Sequence, residues 1–238
     1  MTTPANSAPA VDATKLDKHA EVAVRIGLQP QRGQDLVMTA PIAALPLARL
    51  ITKHAYMAGA GLVSTFYADE EATLARYHHA PDESFDRASD WLYEGMAKAY
   101  ANGAARLAIA GDNPMLLSAE DPAKVARANK ANSTAYKPAL EKIANFDINW
   151  NIISYPNPSW AKQVFPNDPE DVAVEKLANA IFAASRVDVA DPVAAWKEHN
   201  AALAKRSAWL NGERFAALHF KGPGTDLTVG LADGHEWH

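Results

Sequence analysis

The chain has 238 residues, 48% hydrophobic and 21% charged, with no cysteine and a net charge of −5. That length can bury a sizeable core, and the composition excludes wholesale disorder. Without cysteine there is no disulfide framework, no thiolate zinc site and no cysteine nucleophile, and a mild negative charge argues against a broad nucleic-acid surface.

Taken in order, residues 1–13 are rich in Thr, Pro, Ala and Ser, and a disordered tail is expected there. No uninterrupted apolar run could span a bilayer, and the start lacks the charged and apolar regions of a signal peptide, so a cytoplasmic protein without a membrane partner is expected. Leu16, Ala20, Ala23 and Ile26 recur at helical spacing, with Gly27 placed to end the helix. Leu36-Val37-Met38-Thr39 predicts a buried strand. Pro41 and Pro46 fall too early to break the following helix through Leu47, Leu50, Ile51 and Ala55, which closes at Gly59, and Leu62–Tyr67 predicts a second strand. Helical segments near Glu71–Tyr77 and Ser89–Asn102 lead to a third strand at Arg106–Ala110. Asp121-Pro122 opens a further helix as N-cap and first helical residue, and Trp150–Tyr155 predicts a fourth strand. Asp168-Pro169 and Asp191-Pro192 repeat the start signal ahead of two long helices that end near Asn211-Gly212.

The last stretch is a β-hairpin: Ala216, Leu218 and Phe220 alternate with Ala217 and His219, Gly222-Pro223-Gly224 turns the chain, and Leu227, Val229 and Leu231 alternate with Thr228 and Gly230. The expected architecture is therefore α/β, a mostly parallel sheet with helices on both faces, followed by a hairpin that begins a second domain. The expected division is a tail at 1–13, an α/β domain at 14–212 and the start of an incomplete domain at 213–238.

Few residues point to chemistry on their own. His235-Glu236-Trp237-His238 has its histidines three apart at a chain end, whereas the zinc motif HExxH needs them four apart on one helical face, so a solvated tail is expected. His78 and His79 are adjacent and their rings diverge on a helix, while His54 and His199 read as core-edge histidines. Asp69-Glu70-Glu71 could form a metal-binding loop, but complementing the dipole of the next helix explains the three acids without a metal. Gly59-Ala60-Gly61 precedes a strand and so fails the context of a dinucleotide fingerprint, and there is no P-loop or nucleophile elbow. A ligand on such a sheet belongs outside the carboxyl ends of the strands, which makes Thr39, Asp112, Asn113 and Tyr155 the substrate-cleft candidates, with no catalytic or metal-holding residue assigned.

Ala40-Pro41-Ile42-Ala43-Ala44-Leu45-Pro46-Leu47-Ala48-Arg49 and His54-Ala55-Tyr56-Met57-Ala58-Gly59-Ala60 resemble the front of the M29 family of metallo-aminopeptidases. So do Arg76-Tyr77-His78-His79-Ala80-Pro81, Trp160-Ala161 with Val164-Phe165-Pro166, Asp191-Pro192-Val193-Ala194-Ala195-Trp196, Ala208-Trp209-Leu210-Asn211 and the hairpin opening Leu218–Leu227. The similarity runs from about Leu16 to His238. It implies removal of N-terminal residues from peptide substrates by two divalent metal ions, zinc, cobalt or similar, within a homodimer. Two such ions polarise the scissile carbonyl and lower the pKa of a bridging water. The family's metal ligands lie beyond the position matching His238, so no metal is expected in this chain, and the 238 residues alone are expected to be inactive. The alternative expectation is a non-catalytic module that binds a ligand or partner through the sheet crevice or the hairpin.

Overall fold

The computed structural model describes residues 11–238. The expected tail therefore lies outside the described residues, except for its last three. Asp12 accepts hydrogen bonds from the N–H groups of Thr14 and Lys15 at 2.9 and 3.0 Å and so caps a helix that begins at Ala13.

The chain divides into two compact units, one ending at Pro192 and one running from Val193 to His238. In the first, β1 (Leu36–Pro41), β2 (Val63–Ala68), β3 (Ala105–Ala110) and β4 (Trp150–Ser154) form a parallel sheet in the order β2-β1-β3-β4. β1 is buried along almost its whole length, as a central strand covered on two faces must be, while β2 at the edge is half-buried to exposed. The helices of this unit are α1 (Ala13–Val22) before the sheet, α2 (Leu45–Met57), α3 (Glu70–His79), α4 (Asp90–Ala101) and α5 (Pro122–Ala144) between its strands, and α6 (Pro158–Val164) and α7 (Glu170–Ala184) after it. Val37 points from β1 into a cluster with Met96 and Tyr100 of α4 and Ala139 and Ile143 of α5. Packed against each other, α1 and α2 bury Leu16, Ala20, Leu47 and Ile51. A smaller core joins Ala161 of α6 to Val174, Leu177 and Ile181 of α7.

Two start and stop signals behave differently from expectation. Gly27 does not end the first helix: its last turn widens and continues to Leu28, and Gln29 takes the left-handed conformation (φ 49°) with its N–H on the Val24 carbonyl at 2.8 Å. Glycine is needed at 27 for close approach, because a Cβ there would lie 2.0 Å from Nδ2 of Asn151, which itself donates to the Ala23 carbonyl at 3.1 Å. Asp168 does not cap α7. Its carboxylate takes the Lys176 ammonium at 2.7 Å, and Pro169 stands at the cap position. Asp121 does cap α5, accepting from Ala123 N–H at 2.8 Å.

The second unit holds α8 (Pro192–Glu213), apart from its first residue, and an antiparallel hairpin of β5 (Ala217–Gly222) and β6 (Thr225–Gly230). The hairpin closes through Pro223-Gly224, and Phe220 pairs with Leu227 as Leu218 does with Val229, so these four share one face. Phe220, Leu227 and Val229 remain exposed. At the end of the chain Glu236 and His238 are exposed, as a solvated tail would have them, but Trp237 is tied back to α8. Asn211 of α8 donates to the Trp237 carbonyl at 2.9 Å and accepts the Trp237 N–H at 2.8 Å, and His235 Nδ1 lies 2.8 Å from the Ala232 carbonyl. Removing both bonds with Asn211→Ala costs about 1–3 kcal/mol locally. Limited proteolysis is therefore expected to clip the chain after about residue 230 at least several-fold faster in that variant than in the parent.

Candidate functional site

The chain leaves β1 through α2 to reach β2 on one side and enters β3 on the other, so the strand order reverses between β1 and β3. Diverging connections leave a crevice at the carboxyl ends of such strands. A cavity of about 270 Å³ lies there, walled by Thr39 and Pro41 of β1, Phe66 and Tyr67 of β2, Leu92, Tyr93 and Met96 of α4, and Ile109 and Asp112 from the end of β3. Its walls are mostly apolar, with the Thr39 hydroxyl and the Asp112 carboxylate as polar groups. Burial pushes the Tyr93 phenol above its ordinary value, so this ring meets a ligand as a neutral hydroxyl at neutral pH.

Of the four cleft candidates, Thr39 and Asp112 come together in this cavity, while Asn113 and Tyr155 stand outside its walls. Asn113 shapes the loop after β3: its side-chain oxygen accepts the Met115 N–H at 2.9 Å and its own N–H donates to Glu70 Oε1 at 2.8 Å. Tyr155 prolongs the β3–β4 ladder, donating its N–H to the Ala110 carbonyl at 2.8 Å, and burial raises its phenol pKa. Gly111 lies against it. Its φ is +152°, and a Cβ there would fall 2.2 Å from the Tyr155 carbonyl oxygen.

Sequence reasoning missed Glu70 and Asn157. Glu70 Oε1 accepts both the Asn113 N–H and Nδ2 of buried Asn157 (3.0 Å), whose own side-chain oxygen caps α6 on the N–H groups of Ser159 and Trp160. One carboxylate oxygen thus ties the start of α3 to the loops after β3 and β4. The Asn157-Pro158 pair carries the same cap-and-proline signal as Asp121-Pro122 and could have revealed α6; nothing local marks Glu70. The neighbouring Asp69 caps α3 through the Ala72 N–H at 2.8 Å, which agrees with the helix-start reading of the acidic run.

Four of the eight histidines have these neighbours. His54 pairs with Asp17 at 3.1 Å, His78 with Glu120 at 3.0 Å and His219 with Asp226 at 2.6 Å, and His199 stands edge-on to Trp196. Among the described residues no group of three or more His, Asp or Glu side chains could hold a metal ion. No described helix is long and apolar enough to cross a membrane.

Residues 12–238 match the family model described as thermophilic metalloprotease (M29). The chain belongs to the M29 family. Within M29 it is 52% identical over 229 residues to aminopeptidase T of Thermus thermophilus, covering 95% of this chain and 56% of that protein. It is 41% identical to aminopeptidase 2 of Geobacillus stearothermophilus, covering 94% of this chain and 54% of the relative. The wild-type AmpT structure from Thermus thermophilus superposes with a TM-score of 0.87 at 51% identity, over 93% of this chain and 54% of that one. This chain therefore spans about half the length of the M29 relatives it matches. The parallel sheet with flanking helices and the terminal hairpin are the architecture expected from the sequence, and the family's description as metalloproteases implies use of a metal.

Proposed function

We propose that these 238 residues form the front part of an M29 aminopeptidase that removes N-terminal amino acids from peptides with two divalent metal ions such as zinc or cobalt. The observation that carries this reading is the 52% identity to aminopeptidase T across 95% of the chain. On this reading residues 14–212 shape the substrate cleft, 213–238 begin the metal-holding domain, and the enzyme works as a cytoplasmic homodimer. On this reading the metal ligands belong to the later domain, so no catalytic step is assigned to residues of this chain and the 238 residues alone are expected to be inactive.

What this chain contributes is binding. The apolar walls of the crevice take up a side chain and exclude water, and Thr39 and Asp112 meet polar or cationic groups at its mouth. Asn113 and Tyr155 act from behind the lip, fixing the loops that carry these groups. The existence of a crevice inside the first unit also favours a second reading, a non-catalytic binding module.

The test measures bound metal and leucine release from leucine amide, with added cobalt or zinc, on the 238-residue chain and on a chain extended to the length of the relatives. Metal and turnover in the extended chain alone are expected. Turnover in neither would favour the binding module, and turnover by the 238 residues would overturn the assignment of the metals to a later domain.

A further inference from the structure

β2 ends the sheet, and its outer side is open in a way that the sequence does not blunt. Leu36 N–H donates to the Leu62 carbonyl at 2.8 Å, and Leu36 lies opposite Val63. In a parallel ladder that register turns the main-chain groups of residues 62, 64, 66 and 68 toward β1 and those of Val63, Thr65 and Tyr67 outward. The Val63 N–H is taken by the Tyr56 hydroxyl at 3.2 Å. Among the described residues, Thr65 and Tyr67 are left with two N–H and two C=O groups on an edge that carries neither lysine nor proline. The side chains above this edge, Phe66 and Tyr67, are 36% and 45% exposed and also wall the crevice.

We propose that the free edge of β2 binds the main chain of an extended peptide, which adds a short antiparallel strand opposite Thr65 and Tyr67. This inference rests on the peptidase reading and specifies how the peptide would be held. Two outward residues fit a segment of three residues: the first opposite Tyr67, the third opposite Thr65, the second opposite Phe66. Phe66 is in register with Thr39, which follows Val37 on the face covered by α4, so the second side chain lies on the crevice side of the sheet. The Asp112 carboxylate belongs to the crevice that the C-terminal half of β2 lines, so negative charge at that end favours the peptide's amino terminus there and sets the antiparallel direction. A second copy of the chain fits less well. With Tyr56 covering Val63, only two residues remain to pair, far short of the roughly 800 Å² per partner that a stable dimer buries.

The experiment titrates leucyl-leucyl-leucine into the isotopically labelled 238-residue chain and follows its amide resonances. The Thr65 and Tyr67 amides are expected to shift most. Thr65→Pro removes an outward N–H without touching the bonds to β1, and is expected to weaken binding at least about tenfold while the melting temperature stays near that of the parent. If that variant fails to fold, a peptide methylated on the nitrogen of its third residue removes the other bond of the same pair, the one it donates to the Thr65 carbonyl, with a similar weakening expected. Binding that neither change weakens, shifts confined to other residues, no shift at millimolar peptide, or edge shifts that follow protein concentration without peptide would each overturn the proposal. The two readings fail separately: turnover by the extended chain without edge shifts removes only the edge, and edge shifts without turnover remove only the peptidase.

Discussion

Gly111→Ala is expected to lower the melting temperature by about 6–12 °C, corresponding to about 3 kcal/mol, the upper range for forcing extra volume into packed structure. The new methyl would stand 2.2 Å from a main-chain oxygen, that of Tyr155, which no side-chain rotation can move. Tyr155 is in turn held to Ala110 by its N–H at 2.8 Å, so relief requires the ends of β3 and β4 to part. The positive φ adds backbone strain that alanine meets and glycine does not. Gly95→Ala, in α4 with nothing within 4 Å of the point where its methyl would stand, is the control and is expected to be neutral or slightly stabilising. Thermal unfolding followed by circular dichroism measures both. A Gly111 variant that melts within 2 °C of the parent, on the order of half a kcal/mol, would show that the two strand ends are looser than their hydrogen bond implies.

Stability is expected to fall on acidification through the titration of His19, and His19→Gln is expected to remove that dependence. The His19 ring is 3% exposed, edge-on to Phe182, and its Nε2–H donates to the Ser154 carbonyl at 3.2 Å, which leaves Nδ1 unprotonated and without a partner among the described residues. Burial holds its pKa below the ordinary histidine value, opposed only in part by the bond to Ser154. The Phe182 ring that His19 meets edge-on carries the Lys15 ammonium 6.0 Å from its centroid. Between the depressed folded value and about 6.5, the unfolded chain binds the proton and the folded chain does not. Stability is thus complete above about pH 6.5 and declines, by at most about 1.4 kcal/mol per pH unit, as pH falls toward the folded value. Glutamine offers an N–H to Ser154 without a titrating ring. Urea unfolding at pH 7.5, 6.5 and 5.5 gives the comparison, and equal slopes for both proteins would refute the assignment to His19.

The strands were legible because each is a short apolar run bounded by turn residues, and β1 to β4 begin within a residue of their expected positions. Helix ends were read less evenly. Asp121-Pro122 and Asp168-Pro169 look alike in sequence, but Lys176, eight residues beyond Asp168, takes the second carboxylate away from the cap. Gly27 shows the same limit: its role is set by Asn151, more than 120 residues away, and local chemistry suggested an ordinary helix stop. Within the site, Thr39 and Asp112 could be placed from the position of strand ends alone. Glu70 could not, since its partners Asn113 and Asn157 lie 43 and 87 residues further along the chain.

Glu70 gives the crevice lip a single mechanical coupling. Because one oxygen accepts from both Asn113 and Asn157, the loops after β3 and β4 do not have independent freedom: displacing either loosens the restraint on the other. The Asp112 side of the crevice is linked to Asn157, the cap of α6, through two hydrogen bonds that meet on Glu70, and from there to the first turn of the helix through the bonds that Ser159 and Trp160 donate to Asn157. Loops tied to one oxygen in this way share a single restraint, so a substitution at Glu70 frees both lips of the crevice at once.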